Sequence, residues 1–221
     1  MSRRALLQQI PVFAGLTDAT LTALMDSMVL KRVSPGEVLV EEGAHGVSAY
    51  AVISGRLKVT TVQSGRPLAL NIVGPGTLIG ELALLDPGPR SASATALDPV
   101  RVLVLHRRDL LPFLRQHPEA ALCMMAVLVQ RIRRLSTDLQ AQTLPLPDRL
   151  LRVLHDLADR FGHDTPDGRL IDMLLSQREL GQMVGSSRES INKQLRIWRK
   201  AGVVSVDGGY ITLCGYVAPK L

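Results

Sequence analysis

Thirteen consecutive residues, Gly80-Glu81-Leu82-Ala83-Leu84-Leu85-Asp86-Pro87-Gly88-Pro89-Arg90-Ser91-Ala92, bring together a Gly-Glu turn, a tight Pro/Gly loop and an Arg-Ser pair. Backbone N–H groups and the Ser91 hydroxyl can donate to phosphate oxygens. Arg90 supplies a planar charged fork, and Glu81 can accept from sugar hydroxyls. One nucleotide would satisfy all of these groups at once.

A second cluster lies further on, where the stretch from Gln177 to Lys200 contains Arg178, Arg188, Lys193, Arg196, Arg199 and Lys200. Ser187-Arg188-Glu189-Ser190-Ile191-Asn192-Lys193 opens a predicted helix, and the first turn of a helix lying in a major groove meets base edges. Arg188 can fork onto guanine O6/N7, Glu189 can accept from cytosine N4, and Ser187 can reach a phosphate. The other reading of such a run is a solvated basic face.

Other chemistries find little support. The sequence contains no nucleophile elbow, P-loop or metal-ligand spacing, so no catalytic residue, no metal and no enzyme are expected. Cys123 and Cys214 lie far apart without a CxxC pair, which suits ordinary thiols in a reducing compartment. His45, His106, His117, His155 and His163 are scattered and read as surface or capping groups, so neither haem nor an iron–sulfur cluster is indicated.

The elements that would position these clusters follow from patterning. The chain has 221 residues, long enough for a sizeable core, and its net charge of +6 suits a polyanionic partner without proving one. Leu16 to Leu30 reads as a helix with Thr17 or Asp18 as its cap. From Val33 to Leu105, short β-rich runs are punctuated by Pro35-Gly36, Gly43, Ser54-Gly55, Ser64-Gly65, Gly74-Pro75-Gly76 and Asp98-Pro99, which argues for a β-roll or barrel.

A long helix is predicted from His117 to about Gln140. Its apolar residues Ala121, Met125, Leu128, Ile132, Leu135 and Leu139 alternate in steps of four and three, the a/d seam of a coiled coil. A helix packed on its own domain can also show a single apolar face. Pro145 and Pro147 then interrupt the pattern and mark a hinge, after which Asp148 is expected to cap a helix over Arg149 to Phe161. Gly162 to Arg169 reads as a polar loop. Ser176 with Glu179 and Ser186 with Glu189 both fit the Ser-x-x-Glu capping box, and Gly185 between them suits the turn of a helix-turn-helix. A hairpin is expected around Asp207-Gly208-Gly209.

These motifs carry a family resemblance. GELALLDPGPRSASATA, from Gly80 to Ala96, closely resembles the phosphate-binding cassette of cyclic-nucleotide-binding domains. Val52-Ile53-Ser54-Gly55-Arg56-Leu57-Lys58-Val59 and Val73-Gly74-Pro75-Gly76 resemble the strand and turn before it. Leu175 to Leu195 resembles the helix-turn-helix of the cAMP receptor protein (Crp/Fnr) family. The resemblance implies Arg90 and Ser91 on a cyclic phosphate, Glu81 on the ribose 2′-hydroxyl, and Gly80 with the Leu82 and Ala83 backbone completing the cradle. It implies Gln177, Arg178, Ser187, Arg188, Glu189 and Lys193 as DNA contacts on a palindrome like TGTGA-N6-TCACA.

Two positions depart from the family pattern. Lys193 stands where the family most often has Arg, which gives up a bidentate fork. The cAMP-responsive members read the purine with a Thr and a Ser side by side on the long helix. Those positions fall here on Leu135 and Ser136, with Thr137 next, leaving Ser136 and Thr137 as the candidate base readers.

The expectation is an α+β chain: a cyclic-nucleotide-binding β-roll over 1–116, a dimerisation helix over 117–141, a hinge over 142–147 and a winged helix-turn-helix over 148–221. Its expected function is that of a sequence-specific transcriptional regulator acting on double-stranded DNA as a homodimer, modulated by cAMP ahead of cGMP, with RNA polymerase as a further partner. The alternatives are a ligand-independent regulator whose empty cassette holds Arg90 on internal carboxylates, and a sensor module acting through protein contacts. The opening Met-Ser-Arg-Arg-Ala-Leu-Leu-Gln-Gln is too short an apolar run for a signal peptide, and no segment approaches membrane-spanning length, so a cytoplasmic location without membrane attachment is expected.

Overall fold

The computed structural model describes residues 3–63, 66–86, 88–141 and 143–216. Ser64, Gly65, Pro87 and Gln142, each assigned above to a turn, the cassette or the hinge, lie outside the described residues. The chain forms two compact units, Met1–Leu135 and Ser136–Leu221. The fold is α+β.

In chain order the first unit contains α1 (Arg3–Gln8), α2 (Asp18–Asp26), β1 (Val29–Val33), β2 (Val38–Val40), β3 (Ser48–Ser54), β4 (Leu57–Gln63), β5 (Arg66–Val73), β6 (Leu78–Ile79), α3 (Leu82–Leu85), β7 (Ser93–Ala96), β8 (Val100–His106), α4 (Arg107–Gln116) and most of α5 (Pro118–Ala141). Two antiparallel sheets, ordered β1-β8-β3-β6 and β2-β7-β4-β5, make up the β-roll. Alternation along β8 explains how one sheet serves two cores. Val100, Val102 and Val104 join Leu39, Leu57 and Ala94 in one cluster. Leu103 and Leu105 point the other way, onto Leu7, Phe13, Leu24, Leu110 and Met124 from the flanking helices.

Thr17 caps α2 by accepting from the Thr20 N–H. The strand after α2 starts at Val29 rather than Val33, because Val29 to Val33 pair residue by residue with Val104 to Val100. Arg56 donates from N and Nε to the two carboxylate oxygens of Asp98, at 2.6 Å each, tying the β3–β4 turn to the β7–β8 turn.

Helix α5 occupies the predicted place, but its outward face is rotated from the expected seam. Ala120 and Met124 are buried in the unit's own core, and this sets the helix about its axis. Leu122, Met125, Val129 and Ile132 are exposed, whereas Ala121 and Leu128 are only half-exposed. The apolar stripe facing outward therefore runs 122, 125, 129, 132. The side chains of Leu135 and Leu139 lie outside the described residues.

The second unit contains the end of α5, then α6 (Leu146–Phe161), β9 (Gly162–Thr165), β10 (Gly168–Ile171), α7 (Gln177–Val184), α8 (Arg188–Lys200), β11 (Val204–Asp207) and β12 (Tyr210–Leu213). Helix α6 begins at Leu146 behind Pro145 and takes Pro147 into its first turn, where a missing N–H costs nothing. Asp148 consequently sits inside the first turn and complements the helix dipole instead of capping. Gly162 to Arg169 is not a loop but the hairpin β9–β10, whose second strand pairs with β12 in a sheet ordered β11-β12-β10-β9. Leu150, Leu154 and Leu157 of α6 are buried, as are Leu180, Val184, Ile191 and Leu195 of the helix pair. Among the described residues no helix is long and apolar enough to cross a membrane.

Candidate functional site

The cassette begins where a strand ladder stops. Gly80 follows β6 at φ 72°, a left-handed conformation that suits glycine, and turns the chain into the four-residue helix α3. Glu81, at the start of that helix, is 7 % exposed and makes no side-chain cap bond to it. The Ala83 N–H donates to Gly80 O at 3.3 Å. Leu82 and Leu85 remain outward-facing, with Leu82 44 % exposed.

Arg90 returns to this turn from the far side of the loop. Its N–H donates to Ala44 O at 3.0 Å, and its own carbonyl accepts from the Gly43 N–H at 2.9 Å. Its guanidinium donates from Nη1 to Gly80 O at 3.0 Å and from Nη2 to Ser48 O at 2.6 Å, while lying 5.9 Å from the Tyr50 ring centroid. Among the described residues the guanidinium's hydrogen-bond partners are thus carbonyls, with no carboxylate. Ser91 is exposed next to it. Gly80, Glu81, Leu82, Ala83, Arg90 and Ser91 accordingly share one turn and the chain returning to it. Ser136 and Thr137 lie on α5, with side chains outside the described residues.

The residues holding Arg90 were not legible as a motif. Ser48 contributes its backbone carbonyl, and Gly46 contributes an absence, since a Cβ there would stand 2.5 Å from Arg90 Nη2. Neither leaves a side-chain signature. Tyr50 carried a weak signal as the one aromatic residue of β3.

In the second unit, Ser176 and Glu179 form the expected capping box of α7: the Glu179 N–H donates to Ser176 Oγ, and the Ser176 N–H to Glu179 Oε2, each at 3.1 Å. Gly185 ends α7 at φ 63°, ψ 47°. Gly181 is buried against the following turn, where a Cβ would meet Ser186 O at 2.7 Å. This lets α8 start close beside α7.

The cap of α8 is Ser187, not Ser186. Ser187 Oγ accepts from the Ser190 N–H at 3.1 Å, so the third helical residue is Ser190 and Glu189 has no box to close. Capping therefore does not compete with base reading at Glu189. Hydrogen bonds from its own backbone N–H and from Ser187, with Arg188 alongside, hold the Glu189 carboxyl below the usual glutamate range.

Arg178, Ser187, Arg188, Glu189 and Lys193 are exposed, with Gln177 half-buried. Ile191 and Leu195 bury the opposite face of α8. Ser176, Gln177, Arg178 and Arg188 border one shallow groove with Val206 and Gly209 of the β11–β12 hairpin. Glu189 and Lys193 do not line it. Such a face can offer cations and hydrogen-bond donors to phosphates and a mixed donor and acceptor set to base edges. Cys123 and Cys214 are half-buried thiols, and among the described residues no cluster of His, Cys, Asp and Glu could hold a metal ion.

Comparison with known proteins agrees with both halves. Residues 30–117 match the cyclic nucleotide-binding domain, and residues 148–216 the Crp-like helix-turn-helix domain. The chain is similar to the CRP-like cAMP-activated global transcriptional regulator of Mycobacterium tuberculosis, 32% identical over 205 residues that cover 92% of each chain. It is also similar to the crystal structure of the catabolite activator protein of Thermus thermophilus, at 30% identity and TM-score 0.55, covering 92% of this chain and 93% of that one. The c-di-GMP responsive global regulator CLP of Xanthomonas campestris shares the fold, with TM-score 0.76 at 23% identity over 90% of this chain and all of that one.

Proposed function

The chain belongs to the Crp/Fnr family of DNA-binding transcriptional regulators, and from that premise we propose a homodimer that reads a palindromic site under the control of a cyclic nucleotide. It is a regulator and not an enzyme. The proposed division is 1–116 for sensing, 117–141 for dimerisation, 142–147 as hinge and 148–221 for DNA, acting in the cytoplasm with RNA polymerase as a further partner.

The observation that carries the DNA reading is the start of α8, where a Ser187 cap leaves Arg188, Glu189 and Lys193 exposed together. Arg188 forks onto guanine, Glu189 accepts from cytosine, and Lys193 adds a point charge without a fork. Gln177, Arg178 and Ser187 take phosphates. On this reading the two recognition helices of a dimer lie about 34 Å apart, in successive major grooves of a site like TGTGA-N6-TCACA.

Arg90, Ser91, Glu81 and the Gly80–Ala83 backbone form the phosphate and ribose cradle, with Ser136 and Thr137 reading the base. The carbonyl partners of Arg90 favour a ligand site over a cassette closed on internal carboxylates. cAMP is placed ahead of cGMP because the relatives from M. tuberculosis and T. thermophilus are named for cAMP. The ligand acts by population shift, and only to the extent that it binds the DNA-ready form more tightly than the other. The outward stripe Leu122, Met125, Val129 and Ile132 supports the dimer.

A salt titration of binding to the palindrome and to a random duplex tests the DNA reading. A steep loss of affinity with salt together with preference for the palindrome is expected. Equal affinity for the two duplexes would leave the sensor-module alternative in its place.

A further inference from the structure

The carbonyls that hold Arg90 stand at the end of the β3–β6 ladder. That ladder pairs Tyr50 with Ile79 and Ala51 with Leu78, and it stops where Gly80 turns away. Just past the stop, Arg90 Nη1 and Nη2 reach Gly80 O and Ser48 O, so the guanidinium bridges the two segments where the ladder has ended. The Tyr50 ring lies under it on the same alternation of β3 as Ser48.

Ser48 is fixed from its other side as well. It is 8 % exposed, and its Oγ shares a 2.7 Å hydrogen bond with His106 Nδ1, across from it in the β3–β8 register. The carbonyl that receives Arg90 is therefore anchored through the side chain of the same residue. A guanidinium has five N–H donors. Among the described residues Gly80 and Ser48 take one from each Nη, leaving Nε–H and a second hydrogen on each Nη for an anion.

We propose that Tyr50 and the Ser48–His106 pair are positioning residues for Arg90: they hold its guanidinium in place before the phosphate arrives and set ligand affinity without touching the ligand. An arginine already held loses less freedom on binding, which is how preorganisation raises affinity. The inference rests on the reading of Gly80 to Ala92 as a cyclic-nucleotide cradle and adds residues outside it.

Calorimetric titration of cAMP and of cGMP into the full chain, for wild type and for Tyr50→Leu, Tyr50→Phe and His106→Ala, tests it. The Arg90 Nε–H resonance of the unliganded proteins, identified by its loss in Arg90→Lys, reports whether the guanidinium is held. Tyr50→Leu and His106→Ala are expected to weaken binding by roughly threefold to thirtyfold and to broaden that resonance. Tyr50→Phe keeps the ring and should stay within about twofold of wild type. A variant with unchanged affinity removes its residue from the role, and weakened binding with an unaltered Arg90 resonance overturns positioning in favour of general disruption of the strand. Should His106→Ala fail to fold, the half-buried Tyr50 variants carry the test. Wild-type protein that takes up neither nucleotide overturns the cradle reading itself, an outcome distinct from wild-type binding with insensitive variants.

Discussion

Ser187 Oγ accepts from the Ser190 backbone N–H at 3.1 Å, and this contact fixes the first residue of α8. It places Arg188 and Glu189 in the first turn, pointing outward, with Ile191 buried behind them. Ser187→Ala is expected to cost about 1 kcal/mol of stability, as loss of a helix N-cap does, measured by denaturant unfolding. Ser186→Ala should cost much less, because Ser186 lies outside the helix.

Ser187 also bears on Glu189, whose carboxyl is held below the ordinary range chiefly by its backbone N–H and the Ser187 hydroxyl. A depressed folded value means that this stabilisation is present above the unfolded value and is lost as pH falls through the folded one. Glu189 should stay ionised, and able to accept from cytosine, throughout mildly acidic to neutral conditions. Carboxylate titration followed by NMR is expected to show this, with Ser187→Ala moving the midpoint back up.

Arg188→Ala should lower affinity for a palindrome like TGTGA-N6-TCACA by about 1–3 kcal/mol. Lys193→Arg restores a planar fork and should sharpen preference at one base pair instead of raising affinity for every sequence. Gel-shift titrations against single-base variants of the site separate these effects. Unchanged binding of Arg188→Ala would remove it as a base reader.

Tyr216 donates from its phenol to Asp159 and packs edge-on to His155 at 5.3 Å. Burial first, and then the Asp159 carboxylate, push the phenol up to about 12. A raised folded value means that the stabilisation is complete below the ordinary phenol value near 10 and disappears as pH rises through about 12. Tyr216→Phe should remove this alkaline step and cost roughly 0.5–1.5 kcal/mol at neutral pH, read from unfolding curves across pH.

Helix α5 offers a prediction about assembly. Met125→Glu with Val129→Glu puts charge on the outward stripe while sparing the buried Ala120 and Met124. Sedimentation should then report monomers, and affinity for the palindrome should fall to that of a half-site.

Features fixed by neighbouring residues are visible in the sequence, and features fixed by distant ones are not. The helix pair was legible because Ser176, Glu179 and Gly185 act locally, through caps and a left-handed turn within a few residues of each other. The hairpin β9–β10 was not, because its four-residue strands show no alternation of their own, and β10 is completed by pairing with β12, far along the chain. On α5 Met125 and Ile132 of the expected seam do face outward, whereas Leu122 and Val129 take the places of Ala121 and Leu128, since a heptad pattern gives the spacing of apolar residues and the rotation of the helix is set by which of them its own core takes. In the cassette, Arg90 and Glu81 announced themselves as side chains. The carbonyls and glycines that hold Arg90 act through backbone geometry, which no residue-type pattern records.

Coupling between the two halves is read by one titration: binding of the full chain to the palindrome alone, with cAMP, and with cGMP. Preference for the palindrome over random duplex is expected, with an affinity that rises with cyclic nucleotide, more with cAMP than with cGMP. Nucleotide uptake seen by calorimetry with no change in DNA affinity for either ligand would contradict the coupling.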